Sequence, residues 1–257
     1  MRDSMDGGAF RSGDMAAAFS LLTRLPISAD HEDTTSRTAA ASWAWPLVGA
    51  ALGALAASGA IVVGWFGAPN EVAAVLALAI LAGVTGAMHE DGLADCADGL
   101  GGGKTRESRL EIMRDSRIGA FGAVALVLAL LARWSGVSGL IDAGSLFWPM
   151  IAIGAVSRLP MIGVMFLVPP AREDGLSANV GLPEPASMAG ALGISLILCL
   201  LALGWGGFLL MFWALLAPVP LIWAANRLIG GQTGDVLGGT QQLAEIAALS
   251  TALAMLS

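Results

Sequence analysis

The chain has 257 residues, 56% hydrophobic and only 13% charged, with a formal net charge of −7 and a mean hydropathy of +0.75. A soluble domain carries about a quarter charged residues, so this composition excludes a water-soluble globule, and the acidic balance excludes a nucleic-acid-binding surface. Its two cysteines, Cys96 and Cys199, form neither a disulfide framework nor a metal-ligand spacing.

Met1 to Asp14 is polar and mixed in charge, unlike a cleaved signal peptide. The apolar stretch Met15–Leu22 is too short to span a bilayer and reads as an amphipathic helix on the membrane surface, ending at Arg24-Leu-Pro26. Uncharged runs then mark the crossings. Thr38–Asn70 holds one helix, roughly Trp43–Trp65, and Val72–Met88 holds a second that runs straight into His89. A third covers about Ile118–Leu140, with Arg133 near its far end, where it could snorkel. The fourth, about Leu146–Val168, contains Arg158 and stops at Pro169-Pro170. Pro185–Asn226 is again uncharged and is divided in two by Gly204-Trp-Gly-Gly207. The last candidate is about Val236–Leu256, interrupted by Glu245.

The expected architecture is therefore all-α, a polytopic membrane bundle of about seven crossings. It forms one domain over residues 1–257: a cytoplasmic N-terminal segment (1–42) with the interfacial helix, then the bundle (43–257). With the N-terminus in the cytoplasm, Arg2, Arg11, Arg24, Arg37, the five cations of 90–118, Arg172 and Arg227 fall inside. The loops 66–71 and 204–207 then carry none, which fixes the orientation. Every acid-rich loop (90–118, 171–184, 230–240) then faces the nucleotide-containing side. Trp43, Trp45, Trp148, Trp205 and Trp223 fit interfacial belts.

The segment His89-Glu-Asp-Gly-Leu-Ala-Asp-Cys-Ala-Asp-Gly-Leu-Gly-Gly-Gly103 carries most of the chemistry. At roughly 100° per residue, Asp91, Asp95 and Asp98 fall within about 60° of one helix face. Such a stripe repels itself unless something positive sits against it. A divalent cation that also holds phosphate oxygens accounts for it. The plain alternative is a solvated helix end, weakened by small neighbours (Gly92, Ala94, Ala97, Gly99) that let a phosphate or a helix approach the backbone. Carboxylates around Cys96 disfavour its thiolate, so it reads as a packing residue.

Further along, Glu111 and Asp115 lie one turn apart, as do Arg114 and Arg117. They form either a salt-bridged cytoplasmic helix or, with Asp115 as a metal ligand, a guanidinium clamp for phosphate. Gly230-Gly-Gln-Thr-Gly-Asp235-Val-Leu-Gly-Gly239 is a second glycine-rich stretch whose N–H groups can cradle an anion, although it matches no Walker or dinucleotide pattern. Glu245 inside an apolar helix is costly and so a functional candidate by default. Arg158 invites the same argument and would pair with a carboxylate or a substrate phosphate. His89 is either a base or a hydrogen-bonded structural residue.

Together these motifs, with Phe19-Ser-Leu-Leu-Thr-Arg-Leu-Pro26, Trp45-Pro-Leu-Val-Gly49, Ser157-Arg158 and Ala171-Arg-Glu-Asp-Gly-Leu176, resemble the cobalamin synthase family over essentially the whole chain. Those are membrane enzymes with adenosylcobinamide-GDP ribazoletransferase activity. The resemblance implies that α-ribazole, or its 5′-phosphate, attacks adenosylcobinamide-GDP at the phosphorus attached to cobinamide, and GMP leaves. It also implies Mg2+, for which Asp91, Asp95, Asp98 and Asp115 are the candidate ligands. Arg114, Arg117 and Arg158 would hold phosphate oxygens, with Glu90, Gly101, Gly102 and Gly234 as further substrate-binding positions. Asp98, Asp235, Glu245 and His89 are the catalytic candidates, and some members carry a further acid near Gln242. The implied location is the bacterial inner (cytoplasmic) membrane. The implied partners are lipid, other nucleotide-loop assembly enzymes and a second copy of the chain. A prenyltransferase or CDP-alcohol phosphotransferase also binds diphosphate through magnesium, but the phosphotransferase pattern wants Arg where Asp95 follows Ala94. A transporter would distribute its acids through the bilayer depth instead of clustering them at one side.

Overall fold

In a computed structural model the described residues are 11–27, 38–175 and 180–256; Arg2, Arg37 and Leu176 lie outside them. Helix α1 (Ser12–Leu22) buries Ala17, Ala18 and Leu22 against the bundle, and Trp43 donates to Asp14 across that junction (2.9 Å). The segment expected on the membrane surface is thus a helix, begun slightly earlier and docked on protein through its small residues.

A short 3-10 turn (Ala40–Ala44) leads into α2 (Trp45–Trp65). Gly49 and Gly53, one turn apart, let α2 meet the later helix α7 (Phe147–Val156) backbone to backbone. A Cβ on Gly49 would lie 2.0 Å from the Gly154 carbonyl oxygen, and one on Gly53 2.0 Å from that of Met150. This is the small-xxx-small contact by which membrane helices associate without a hydrophobic driving force.

The second apolar run does not continue straight into His89. Helix α3 (Asn70–Thr85) stops, and α4 (Met88–Gly102) leaves at 87° to it. Gly86 (φ 68°) and Ala87 (φ 57°) make the corner, both left-handed, and Ala87 is the one non-glycine residue with positive φ among the described residues. The short helix α5 (Arg106–Ile112) is capped by Thr105, and α6 (Ala120–Asp142) follows. The fourth run is broken at Ser157-Arg158 into α7 and α8 (Leu159–Leu167), because Pro160 has no N–H to offer the preceding turn. Then come α9 (Pro185–Leu203), α10 (Gly206–Leu216), α11 (Val219–Ile229), set off from α10 by Pro218, and α12 (Gly234–Leu256).

Among the described residues, five stretches are long and apolar enough to cross a membrane, and the bent α3–α4 pair would make a sixth. The expected seventh, α12, is helical throughout but carries Gln241, Gln242 and Glu245 into the middle of the bundle, where α4, α6, α7, α8 and α10 surround it. The outer faces are apolar: Phe121, Val124, Leu128 and Leu131 form an exposed stripe on α6. Trp65, Trp148, Trp205 and Trp223 are exposed, whereas Trp45, expected in an interfacial belt, is 1% exposed inside the bundle.

Candidate functional site

Arg106 on α5 starts the construction of the site. Its guanidinium donates from Nε to the Ile229 carbonyl (2.9 Å) and from Nη2 to that of Ala171. Beside it the chain after α8 pairs with the chain before α12, through Ala171 N to Gln232 O (2.8 Å) and Gln232 N to Pro169 O (2.9 Å). Arg172 is thereby held at the start of α12. Thr233 caps that helix by accepting from Val236 N (3.3 Å), and its hydroxyl donates to Asp235 Oδ2 (3.1 Å). Arg172 Nη2 donates to the same oxygen (3.3 Å).

Helix α4 passes directly over this first turn. A Cβ on Gly92 would lie 2.8 Å from the Asp235 carbonyl oxygen, so only glycine permits the crossing. Asp91 and Asp235, far apart in sequence, consequently line one cavity of about 130 Å3. His89, Arg172 and Gly234 complete its polar side, and Leu22, Trp45, Met161 and Met165 form much of its apolar side. Asp95 lies within the electrostatic reach of Asp91, Asp235 and Asp98, countered by Arg172.

Other residues singled out in the sequence have different partners. Asp98 turns away from the stripe: its carboxylate accepts from Gly119 N (2.7 Å) and Gly122 N (2.9 Å), capping α6 where the helix dipole favours an anion. Glu90 and Glu245 are buried and face Arg133, which donates from Nη1 to Glu90 Oε1 (2.6 Å) and from Nε to Glu245 Oε1 (2.9 Å). Arg133 is 1% exposed, so the expected snorkelling is replaced by this double ion pair. Gln242 accepts from Arg133 (3.1 Å), and Gln241 donates to Glu245 Oε2 (2.6 Å). Arg158, also buried, donates to the Gly154 carbonyl (3.1 Å) and the Ser157 hydroxyl (2.8 Å), with the Glu245 and Glu90 carboxylates within its electrostatic reach.

Asp115 is bound by its neighbour Arg117 (Nη2 to Oδ2, 2.6 Å), and those hydrogen bonds hold the Asp115 carboxyl below the usual carboxylate range. Arg114 pairs with Asp174 (2.6 Å) at the exposed surface. Gly101 lies against Phe121 and Gly102 is exposed at the end of α4. Of the predicted site residues, the cavity brings together His89, Asp91, Gly234 and Asp235, with Asp95 nearby. Sequence reasoning overlooked Trp45, Arg106, Arg133 and Arg172 as parts of the machinery. Trp45 and Arg172 do fall inside two of the motifs that carried the resemblance, which was the available signal.

Among the described residues, no three His, Cys, Asp or Glu side chains group closely enough to hold a metal ion. The donor set still suits a hard divalent cation of the magnesium type, which is held by one or two carboxylates while substrate phosphates and water supply the remaining oxygens. Asp91 and Asp235, which line one cavity, could supply those one or two carboxylates, whereas Asp98 and Asp115 accept hydrogen bonds from other groups.

Residues 14–253 match the family model for cobalamin-5-phosphate synthase. The chain is 43% identical over 242 residues to the adenosylcobinamide-GDP ribazoletransferase of Bradyrhizobium diazoefficiens, covering 94% of this chain and 93% of that protein. It is also 43% identical over 251 residues to the enzyme of that name from Mesorhizobium japonicum (95% and 94% covered). With that of Sinorhizobium medicae it shares 41% identity over 249 residues (92% and 94% covered). No solved structure matches the chain.

Proposed function

Since the chain belongs to the cobalamin-5-phosphate synthase family, we infer that it is a membrane-embedded adenosylcobinamide-GDP ribazoletransferase. The reading is carried by one observation: in a chain matching that family almost end to end, Asp91 and Asp235 meet on a single cavity beside Arg172. The reaction joins the α-ribazole hydroxyl, or that of its 5′-phosphate, to the phosphorus attached to cobinamide, and GMP departs.

The diphosphate repels an incoming oxygen nucleophile, so the site must offset its charge. Magnesium bound with the diphosphate would neutralise it and stabilise the departing GMP phosphate. Asp91 and Asp95 would hold that ion, with Asp235 facing it from α12. Of the four acid–base candidates read from the sequence, only His89 and Asp235 line the cavity. Asp235 takes the proton of the attacking hydroxyl in this reading, because its carboxylate is oriented by Thr233 and Arg172. Asp98 and Glu245 serve as structural anchors.

Protein purified into lipid vesicles and supplied with adenosylcobinamide-GDP, α-ribazole and Mg2+ is expected to release GMP as cobalamin forms, and a chelator should stop both. A preparation that is folded yet releases no GMP would sink the assignment.

We place the protein in the bacterial cytoplasmic membrane with its N-terminus and site loops inside, a reading supported by the Arg and Lys distribution. Both native cysteines are buried, so introduced thiols can report orientation. Gly102→Cys should react with an impermeant maleimide only from the cytoplasmic side, and Phe66→Cys only from the outside. The opposite labelling pattern would invert the topology.

A further inference from the structure

Three side chains on the cavity wall each keep a buried nitrogen with no hydrogen-bond partner: Trp45 Nε1, His89 Nε2 and Arg172 Nη1. Trp45 is 1% exposed and His89 2%. A buried polar group left unmet is costly, and native interiors rarely leave such groups alone. Three around one cavity therefore mark a ligand position. They come from separate elements, the start of α2, the start of α4 and the loop after α8, and the first turn of the 23-residue helix α12 enters the same cavity at Gly234.

The available chemistry is that of an anion. Arginine and tryptophan present only N–H donors, a histidine nitrogen can present another, and a helix start adds its unsatisfied amides and positive dipole end. The cavity, about 130 Å3, has room for a phosphoryl group. Asp91 and Asp235 share the wall. Arg172 already offsets Asp235, and a cation brought in with the phosphate would offset the pair.

We propose that Trp45, His89 and Arg172, with the start of α12, form a subsite for a single phosphate group of a phosphorylated substrate. The proposal rests on the transferase reading above and adds residues to that site that the acidic motif does not contain. Either the 5′-phosphate of the acceptor or the diphosphate of the corrinoid donor supplies the group, and kinetics separate the two.

Trp45→Phe removes the N–H and keeps an aromatic ring, a smaller one, in the core; Arg172→Gln removes the charge. In lipid vesicles, each is expected to weaken binding of inorganic pyrophosphate with Mg2+, read by calorimetry, on the order of tenfold, as for loss of one hydrogen bond to a charged group. In Trp45→Phe, a tenfold rise in KM for α-ribazole 5′-phosphate that exceeds any change for free α-ribazole assigns the group to the acceptor. A rise in KM for adenosylcobinamide-GDP with either acceptor assigns it to the donor diphosphate. Pyrophosphate affinity and all KM values equal to wild type in both variants would overturn the subsite, leaving water as the occupant. A wild-type protein that binds pyrophosphate through these residues but makes no cobalamin would overturn the transferase reading and leave the subsite standing.

Discussion

Arg133→Met should prevent the protein from accumulating in a folded, monodisperse form, with the melting midpoint of any surviving material sharply lowered. The substitution leaves Glu90 and Glu245 facing each other's charge in the bundle interior, both buried and without their cation. Removing one partner of a buried ion pair costs about 3–5 kcal/mol, and a domain has only about 5–15 kcal/mol in total. Ionisable groups within a membrane bundle tighten that constraint. Arg133→Lys keeps the charge but loses the fork that reaches both carboxylates and Gln242, so it should fall between the two. Charge accounting supplies the control: Arg133→Met combined with Glu90→Gln and Glu245→Gln should recover much of the lost thermal stability. Arg133→Met melting with the wild-type protein would show that the network does not hold the bundle.

Asp91→Asn should lower the rate of GMP release by at least about a hundredfold, the scale of losing a preorganised electrostatic contact to a developing charge. Because Asp91 is exposed on the cavity side of α4, its melting midpoint should stay near that of wild type. Asp95→Asn should act in the same direction, and more Mg2+ should be needed to saturate either variant. Turnover close to wild type in both would return the acidic stripe to a solvated helix end. The contrast with Arg133 is diagnostic: one variant loses fold and activity together, the other loses activity alone.

How much of this was legible in the sequence follows the range of each interaction. Helix positions could be read from uncharged runs, because a span must be apolar along its own length. The corner at Gly86-Ala87 could not, since both flanks are equally apolar and the turn depends on two left-handed residues. Periodicity put Asp91, Asp95 and Asp98 on one helix face, as the helix does, but did not show what each carboxylate meets. The partners of Asp98, the amides of Gly119 and Gly122, belong to a helix whose docking no local pattern encodes. Glu245 was rightly marked as costly, yet the lowest-cost solution to a buried carboxylate is a buried cation, and Arg133 lies more than a hundred positions away. Asp115 with Arg117 illustrates the reverse: two residues apart, they pair with each other at the surface and do not line the cavity.

The backbone contact of Gly49 with Gly154 and of Gly53 with Met150 also bears on biogenesis. Helix α2 enters the membrane first among the spans, but the surface it is shaped to meet emerges about a hundred residues later. At typical synthesis rates that is a wait on the order of ten seconds. During that interval a glycine-lined groove is open to lipid or to the wrong helix, and the mature pairing must form by lateral rearrangement after insertion. A side chain at Gly49 would therefore strike at assembly, after both helices had inserted normally, and its product would be an inserted but unassembled chain for quality control to remove.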